Sequence, residues 1–231
     1  MGTGLRRRCC VSVSSRFSDA VDMARRAHDG VARKGTDIPY LAHVLSVAAL
    51  VFEFGGDEDQ AIAGLLHDVA EDAGGEAALA EIAARFGTRV ADIVRACSDA
   101  VPDDPQNKPP WGERKVAYIR SISSKSDDAV LVTACDKLHN ARAIVSDQRR
   151  LGDALFERFN SEAGRSGVLW YYTSLVDALV GRLEPLGPDA RELGAELQRT
   201  VHELTSDIEA RDTDVQASIE EFGQRLAVRY G

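Results

Sequence analysis

Apolar residues recur along this chain at the three-to-four-residue step of α-helices, and no segment shows the two-residue alternation of a strand. Phe17, Val21, Ala24 and Ala27 share one helical face, and the pattern ends in a loop spanning 30–39. A second helix is predicted over 40–54, stopped by Gly55-Gly56, and a third over 58–72 with Ile62, Leu65, Leu66 and Val69 as its stripe. Gly74-Gly75 is expected to break it. Two further helices, over 77–86 and 88–100, meet at Gly87. A Pro/Asp-rich loop over 101–110 precedes helices over 111–123, 127–147 and 167–183, and 184–188 reads as a linker. Beyond it, Leu193, Leu197, Val201, Leu204 and Ile208 are followed by Val215, Ile219, Phe222 and Leu226 at the same spacing. This tail is one long helix, or two with a start at Thr213 in a capping box with Gln216. Its stripe suits either a hairpin packed on the domain or a dimerisation seam. The pattern predicts an all-α bundle: a flexible leader over 1–15, one domain over 16–183, and a helical extension over 184–231.

Composition narrows the function classes. With 44% hydrophobic and 28% charged residues the chain is ordinary for a globular protein. No apolar run approaches the roughly 18–20 residues of a membrane span. Arg6-Arg7-Arg8 has no apolar stretch behind it and so fails as a secretory signal. Cys9, Cys10, Cys97 and Cys135 lack metal or redox spacing, which reads as reduced thiols in a cytoplasmic protein. A formal net charge of −9 argues against nucleic-acid or anionic-membrane partners. It admits a small anionic substrate only where a metal and local cations offset the general repulsion.

Candidate chemistry sits in Leu65-Leu66-His67-Asp68-Val69-Ala70-Glu71-Asp72. On one continuous helix, the three- and four-residue spacings would gather an imidazole and three carboxylates at one end. Carboxylates that close repel unless a cation or a shared proton intervenes. His43 and Asp136 each interrupt an apolar helical run, and one shared ion would satisfy both. Two imidazoles with two carboxylates suit a first-row ion such as Mn²⁺, with Fe²⁺, Co²⁺ or Zn²⁺ as alternatives; thiolate ligation is not indicated. Taken singly, His43 also fits a core histidine, and Asp136 a buried carboxylate paired with Lys137 or Arg142. Arg33 and Lys34, in a loop just before His43, and Lys137 and Arg142 beside Asp136 supply local positive charge. A guanidinium such as that of Arg33 can stack on a purine. His139 reads as a packing or capping residue.

These motifs resemble the HD superfamily, and more narrowly the hydrolase half of RelA/SpoT enzymes and the stand-alone small alarmone hydrolases. The resemblance is carried by Arg33-Lys34, by Pro39-Tyr40-Leu41-Ala42-His43, by the His67-Asp68-Val69-Ala70-Glu71-Asp72 string and by Asp136-Lys137-Leu138-His139-Asn140-Ala141-Arg142. It implies a helical HD bundle in which His43, His67, Asp68 and Asp136 bind Mn²⁺ and Glu71 and Asp72 serve the hydrolytic step. Arg33 would lie on the base, Lys34 near phosphate and Asn140 at the sugar or phosphate. Tyr171, within Trp170-Tyr171-Tyr172, would cover the nucleotide or else pack in the core. The implied reaction releases pyrophosphate from the 3′ position of ppGpp. Two departures fall on nucleotide contacts: Gly35 stands where relatives often carry serine, and Ala143 where bifunctional relatives carry threonine. The stretch 184–231 is too short for a synthetase half. Rival readings are another nucleotide phosphohydrolase (for NADPH, ppApp or a dNTP), or a nucleotide-sensing or antitoxin-like partner. A homodimer through the C-terminal helices is a further expectation.

Overall fold

The structure, a computed structural model, describes residues 13–98 and 109–231, without the side chains of 72 and 73. Most of the expected leader and of the loop over 101–110 therefore lies outside the described residues, as do Cys9 and Cys10.

The described residues form eleven α-helices and no strand, only an isolated bridge between Ala32 and Pro39. They are α1 Ser15–Ala27, α2 Tyr40–Glu53, α3 Glu58–Leu66, α4 Val69–Ala73, α5 Gly75–Phe86, α6 Thr88–Cys97, α7 Trp111–Ser121, α8 Asp127–Leu151, α9 Gly164–Leu183, α10 Pro188–Glu209 and α11 Val215–Tyr230. Sequence-encoded caps set several starts. Ser14 opens α1 by accepting from the Arg16 amide, so the chain is already helical at residue 15. Asp57 opens α3 with a reciprocal capping box: its carboxylate accepts from the Gln60 amide, and the Gln60 side chain accepts from the Asp57 amide. Ser126 caps α8 through the Ala129 amide.

The 25-residue α8 is the spine of the bundle. Helices α2 and α3 pack on each other and on α8, α1 lies over α3, and the α5–α6 pair closes that end. The loop before α2 is tied down by Arg33 N donating to Ile38 O at 2.8 Å and Tyr40 N to Val31 O at 2.8 Å. That small hairpin fixes where Arg33 and Lys34 point.

The third predicted helix is not continuous. α3 stops at Leu66, and Asp68 (φ −96°, ψ −6°) opens the separate short α4. In an unbroken helix neighbouring side chains diverge by about 100°, so His67 and Asp68 would look in different directions. The break turns both into one site.

The tail is two helices. Asp214 precedes α11 without a side-chain cap, so the Thr213–Gln216 capping box does not form. α10 packs along α8 and α9, and α11 against α9 and α7. Phe222 sits with Trp111 and Trp170, ring centroids 6.2 and 5.9 Å away. Gly167 permits this approach, since a Cβ there would lie 2.7 Å from the Phe222 ring. The apolar stripe that a dimer seam would need is thus buried within one chain, and any pairing of two copies must use other residues. Leu197 of α10 is fully buried, so Leu197→Ala should destabilise the protein by about 2–5 kcal/mol. Urea unfolding followed by far-UV circular dichroism would measure it. Among the described residues no helix is long and apolar enough to cross a membrane.

Candidate active site

His43 of α2, His67 at the end of α3, Asp68 at the head of α4 and Asp136 in mid-α8 converge from four elements. His67 Nε2 lies 2.9 Å from Asp68 Oδ2 and 3.5 Å from Asp136 Oδ1. His43 Nε2 lies 3.3 Å from Asp136 Oδ1 and 3.8 Å from Asp68 Oδ2. Donor atoms of His43, His67 and Asp68 all fall within 4.8 Å of one another, a spacing one metal ion could bridge. Both imidazoles and Asp136 are buried, while Asp68 keeps 22% side-chain exposure and so opens the cluster to a cleft.

Burying such a cluster demands compensation. Burial works against charge on His67, yet the carboxylates of Asp68 and Asp136 outweigh it and hold its pKa well above the usual histidine value. In His43 burial prevails over the pull of Asp136 and lowers the pKa. Burial would raise the Asp68 and Asp136 pKa values. The opposing charges, His67 for Asp68 and Lys137 with His67 for Asp136, turn both downward. Lys137 Nζ sits 2.7 Å from Asp136 Oδ2. The metal-free cluster thus keeps two carboxylates ionised by holding protons nearby.

Residues behind the cluster orient it. His67 Nδ1 is 2.9 Å from Gly64 O and donates to it, since a carbonyl only accepts. This leaves Nε2 to face the carboxylates, buried and without a hydrogen-bond partner of good geometry. That orphaned nitrogen, one more lone-pair donor from His43 and two carboxylates fit a divalent cation. Tyr40 donates its hydroxyl to Asp68 Oδ2. Asn140 Nδ2 donates to Asp136 Oδ1 at 2.6 Å, and Arg33 Nη2 donates to Asn140 Oδ1 at 2.9 Å.

A cleft of about 240 Å³ over the cluster is lined by Asp68, Glu71 and Asp136 together with Lys115 and Lys137. It continues into a cavity of about 590 Å³, and Tyr40, Lys115, Lys137, Asn140 and Tyr171 line both. The larger space adds Arg33, Lys34 and Arg158, with apolar walls from Ile144, Leu155 and Phe159. Five cations thus face it against the single carboxylate of Asp147, which creates a local positive field in a chain of net charge −9.

The structure therefore brings Lys137, Asn140, Tyr171 and Glu71 to the cleft over the cluster and Arg33 and Lys34 to the cavity that continues it. The Asp72 side chain lies outside the described residues. Arg142 does not join them. Two residues beyond Asn140 on a helix, it points elsewhere, and its Nη2 pairs with Glu196 of α10 at 3.1 Å. Tyr171 belongs to both readings made of it: it is buried beside Tyr172 and Trp111, and it lines the cavity.

Sequence reasoning missed Tyr40, Lys115 and Arg158 and set His139 aside. Tyr40 could have been found, because it lies three residues before His43 on the same helical face. Lys115 and Arg158 arrive from distant helices and turns with no local signal. Gly35 acquires a reason as well. Its φ is +71°, and a Cβ there would lie 2.5 Å from Cδ of Arg158. The Arg158 stem fills the space a serine side chain would start from, and its head pairs with Asp147 at 2.7 Å.

Fold and site together define a helical domain built around an imidazole–carboxylate cluster suited to a divalent cation. The HD-domain family profile matches residues 20–169, and the chain belongs to the HD-domain family. HD domains are metal-dependent, and His43, His67 and Asp68 form a possible metal site. The chain is 29% identical over 157 residues to a probable guanosine-3′,5′-bis(diphosphate) 3′-pyrophosphohydrolase of Synechocystis, a match covering 66% of this chain and 20% of that protein. It is 29% identical over 170 residues to the bifunctional (p)ppGpp synthase/hydrolase SpoT of Escherichia coli, covering 69% of this chain and 23% of that protein. The chain thus spans only about a fifth to a quarter of the length of these curated relatives. Among solved structures, a metazoan ortholog of SpoT described as hydrolysing ppGpp superposes with a TM-score of 0.62 at 26% identity. That match covers 81% of this chain and 96% of the other.

Proposed function

We propose that this protein is a metal-dependent hydrolase that releases pyrophosphate from the 3′ position of ppGpp-type alarmones, with Mn²⁺ held by His43, His67, Asp68 and Asp136. The observation that carries the reading is the continuous cavity: the carboxylate–imidazole cluster with Glu71 at one end, and a cation-lined, nucleotide-sized space at the other. Relatives named as guanosine-3′,5′-bis(diphosphate) 3′-pyrophosphohydrolases support it. The cytoplasm, where such nucleotides occur, is the compartment it implies.

The bound cation supplies Lewis acidity toward a phosphoryl group and toward water. The rest falls to side chains. Lys115 and Lys137 face the cleft and meet phosphate oxygens. Glu71 takes the proton of the attacking water as the new O–P bond forms and the bond from phosphorus to the 3′ oxygen breaks. The 3′ oxygen takes up a proton, returned from the now protonated Glu71, and leaves as a hydroxyl. Asp72 is assigned to the same step from sequence alone. Tyr171 lines both spaces, and its buried hydroxyl has no hydrogen-bond partner among the described residues. A buried hydroxyl left unpaired is unfavourable, and a nucleotide oxygen would relieve it. Arg33 and Lys34 line the larger space and are assigned to the base and to phosphate, with the apolar walls to receive the purine.

Phosphate and pyrophosphate release from ppGpp, pppGpp, ppApp, NADPH and dGTP with Mn²⁺ tests the proposal. Pyrophosphate from an alarmone is expected. Orthophosphate from NADPH, or turnover of dGTP with silence on alarmones, would keep a hydrolase and discard the substrate. Silence on all five would favour a nucleotide-sensing or partner role.

Metal uptake should also release protons. The raised pKa of His67 keeps its imidazole protonated at neutral pH when no cation is present, and a ligand must give up that proton. Mn²⁺ binding at pH 7 is therefore expected to release about one proton and to weaken as pH falls. Calorimetry in buffers of different ionisation enthalpy reads this directly; heats independent of the buffer would show that His67 carries no proton.

A further inference from the structure

We infer that His139 is a positioning residue that fixes the tautomer of His43, and that Arg33 holds His139 in that role. The inference rests on reading the cluster as a cation site. His43 Nδ1 lies 2.8 Å from His139 Nδ1, and Arg33 Nη1 lies 3.0 Å from the same His139 nitrogen. A guanidinium can only donate. His139 Nδ1 must therefore be the bare, accepting nitrogen of a neutral ring. The proton in the 2.8 Å contact then sits on His43 Nδ1, and His43 Nε2 is left with its lone pair facing Asp136 and Asp68. In His67 the carbonyl of Gly64 accepts from Nδ1, so Nε2 is again the nitrogen that faces the carboxylates. Two imidazoles are thus set as Nε2 donors by two different acceptors, one from the backbone and one from a side chain.

The arrangement is specific in its geometry. The His139 ring packs against that of His43, tilted by 41° with centroids 4.9 Å apart, so it restrains the ring as well as the proton. Arg33 uses its other arm on Asn140, which holds Asp136. One guanidinium therefore braces the supports of two cluster members, His43 and Asp136, while also lining the nucleotide cavity. Sites of this kind lose about 10–100-fold in metal affinity when such a support is removed.

The test uses all 231 residues. Nitrogen-15 imidazole spectra of the metal-free wild type are expected to show His43 protonated on Nδ1 and His139 bare on Nδ1. His139→Phe keeps a ring but removes the acceptor, and should weaken Mn²⁺ binding, followed by electron paramagnetic resonance, by about 10–100-fold. His139→Asn places a carbonyl oxygen near the Nδ1 position and should restore affinity to within a few-fold; it also covers the case in which the Phe variant folds poorly. Wild-type affinity in His139→Phe, or a His43 protonated on Nε2 in the wild type, would overturn the inference. A wild-type protein that takes up no divalent cation would sink the cation-site reading itself, an outcome separate from a variant that merely binds as tightly as wild type.

Discussion

Asp68→Ala is expected to leave the protein folded, empty of divalent metal and without measurable pyrophosphate release. Asp68 sits at the break between α3 and α4 and is the most open member of the cluster, with 22% side-chain exposure. Its removal takes away a carboxylate 2.9 Å from His67 Nε2 and the acceptor of the Tyr40 hydroxyl, but opens no large apolar void. Asp136→Ala would be a poorer probe. It would leave Lys137 as a buried cation without its 2.7 Å partner, and breaking a buried pair on one side destabilises a protein by about 3–5 kcal/mol. Activity loss there would mix unfolding with metal loss. With Asp68→Ala, metal analysis of the purified protein and its unfolding midpoint can be read side by side. Retained Mn²⁺ with full turnover would remove Asp68 from the ligand set.

The helical architecture was legible because it is written in local terms: apolar spacing, Gly55-Gly56 and Gly87 as breaks, and Ser or Asp caps. His43 and Asp136 were legible for a related reason, since a polar residue inside an apolar helical run must be satisfied by something. What the sequence could not reveal depends on tertiary geometry. Leu66-His67-Asp68-Val69 continues the apolar period of α3 and holds no glycine or proline, so the spacing alone does not mark the end of the helix. Arg142 read as a site residue by proximity in sequence, but helical rotation carries it to Glu196. His139 read as packing because a partner 96 residues away, His43, gives it its place.

The charge balance follows the same division. A net charge of −9 is a property of composition, whereas the field a substrate meets depends on which few cations face the cavity. Many of the acidic side chains are engaged at the surface with arginines, as in Arg89 with Asp57, Asp59 and Asp128, and Arg199 with Glu192 and Glu196. Arg33, Lys34, Lys115, Lys137 and Arg158 instead line one space. Focusing of this kind lets an acidic protein bind a polyanion at one place while its remaining surface repels nucleic acid.

Glu71→Gln separates chemistry from metal binding. Glu71 lines the cleft over the cluster with Asp68 and Asp136, and the proposed function gives it the hydrolytic step rather than the cation. The amide preserves size and much of the hydrogen bonding but cannot accept a proton from water. The variant is expected to keep wild-type Mn²⁺ content and a KM for ppGpp within a few-fold, while kcat falls by at least ~100-fold, the scale of general-base catalysis. A rise in KM together with a loss of metal would instead place Glu71 in the ligand shell. An unchanged kcat would leave proton transfer to another group, with Asp72 the next to substitute. The split between kcat and KM is decisive, since a residue that only shapes the cleft alters binding before it alters the chemical step.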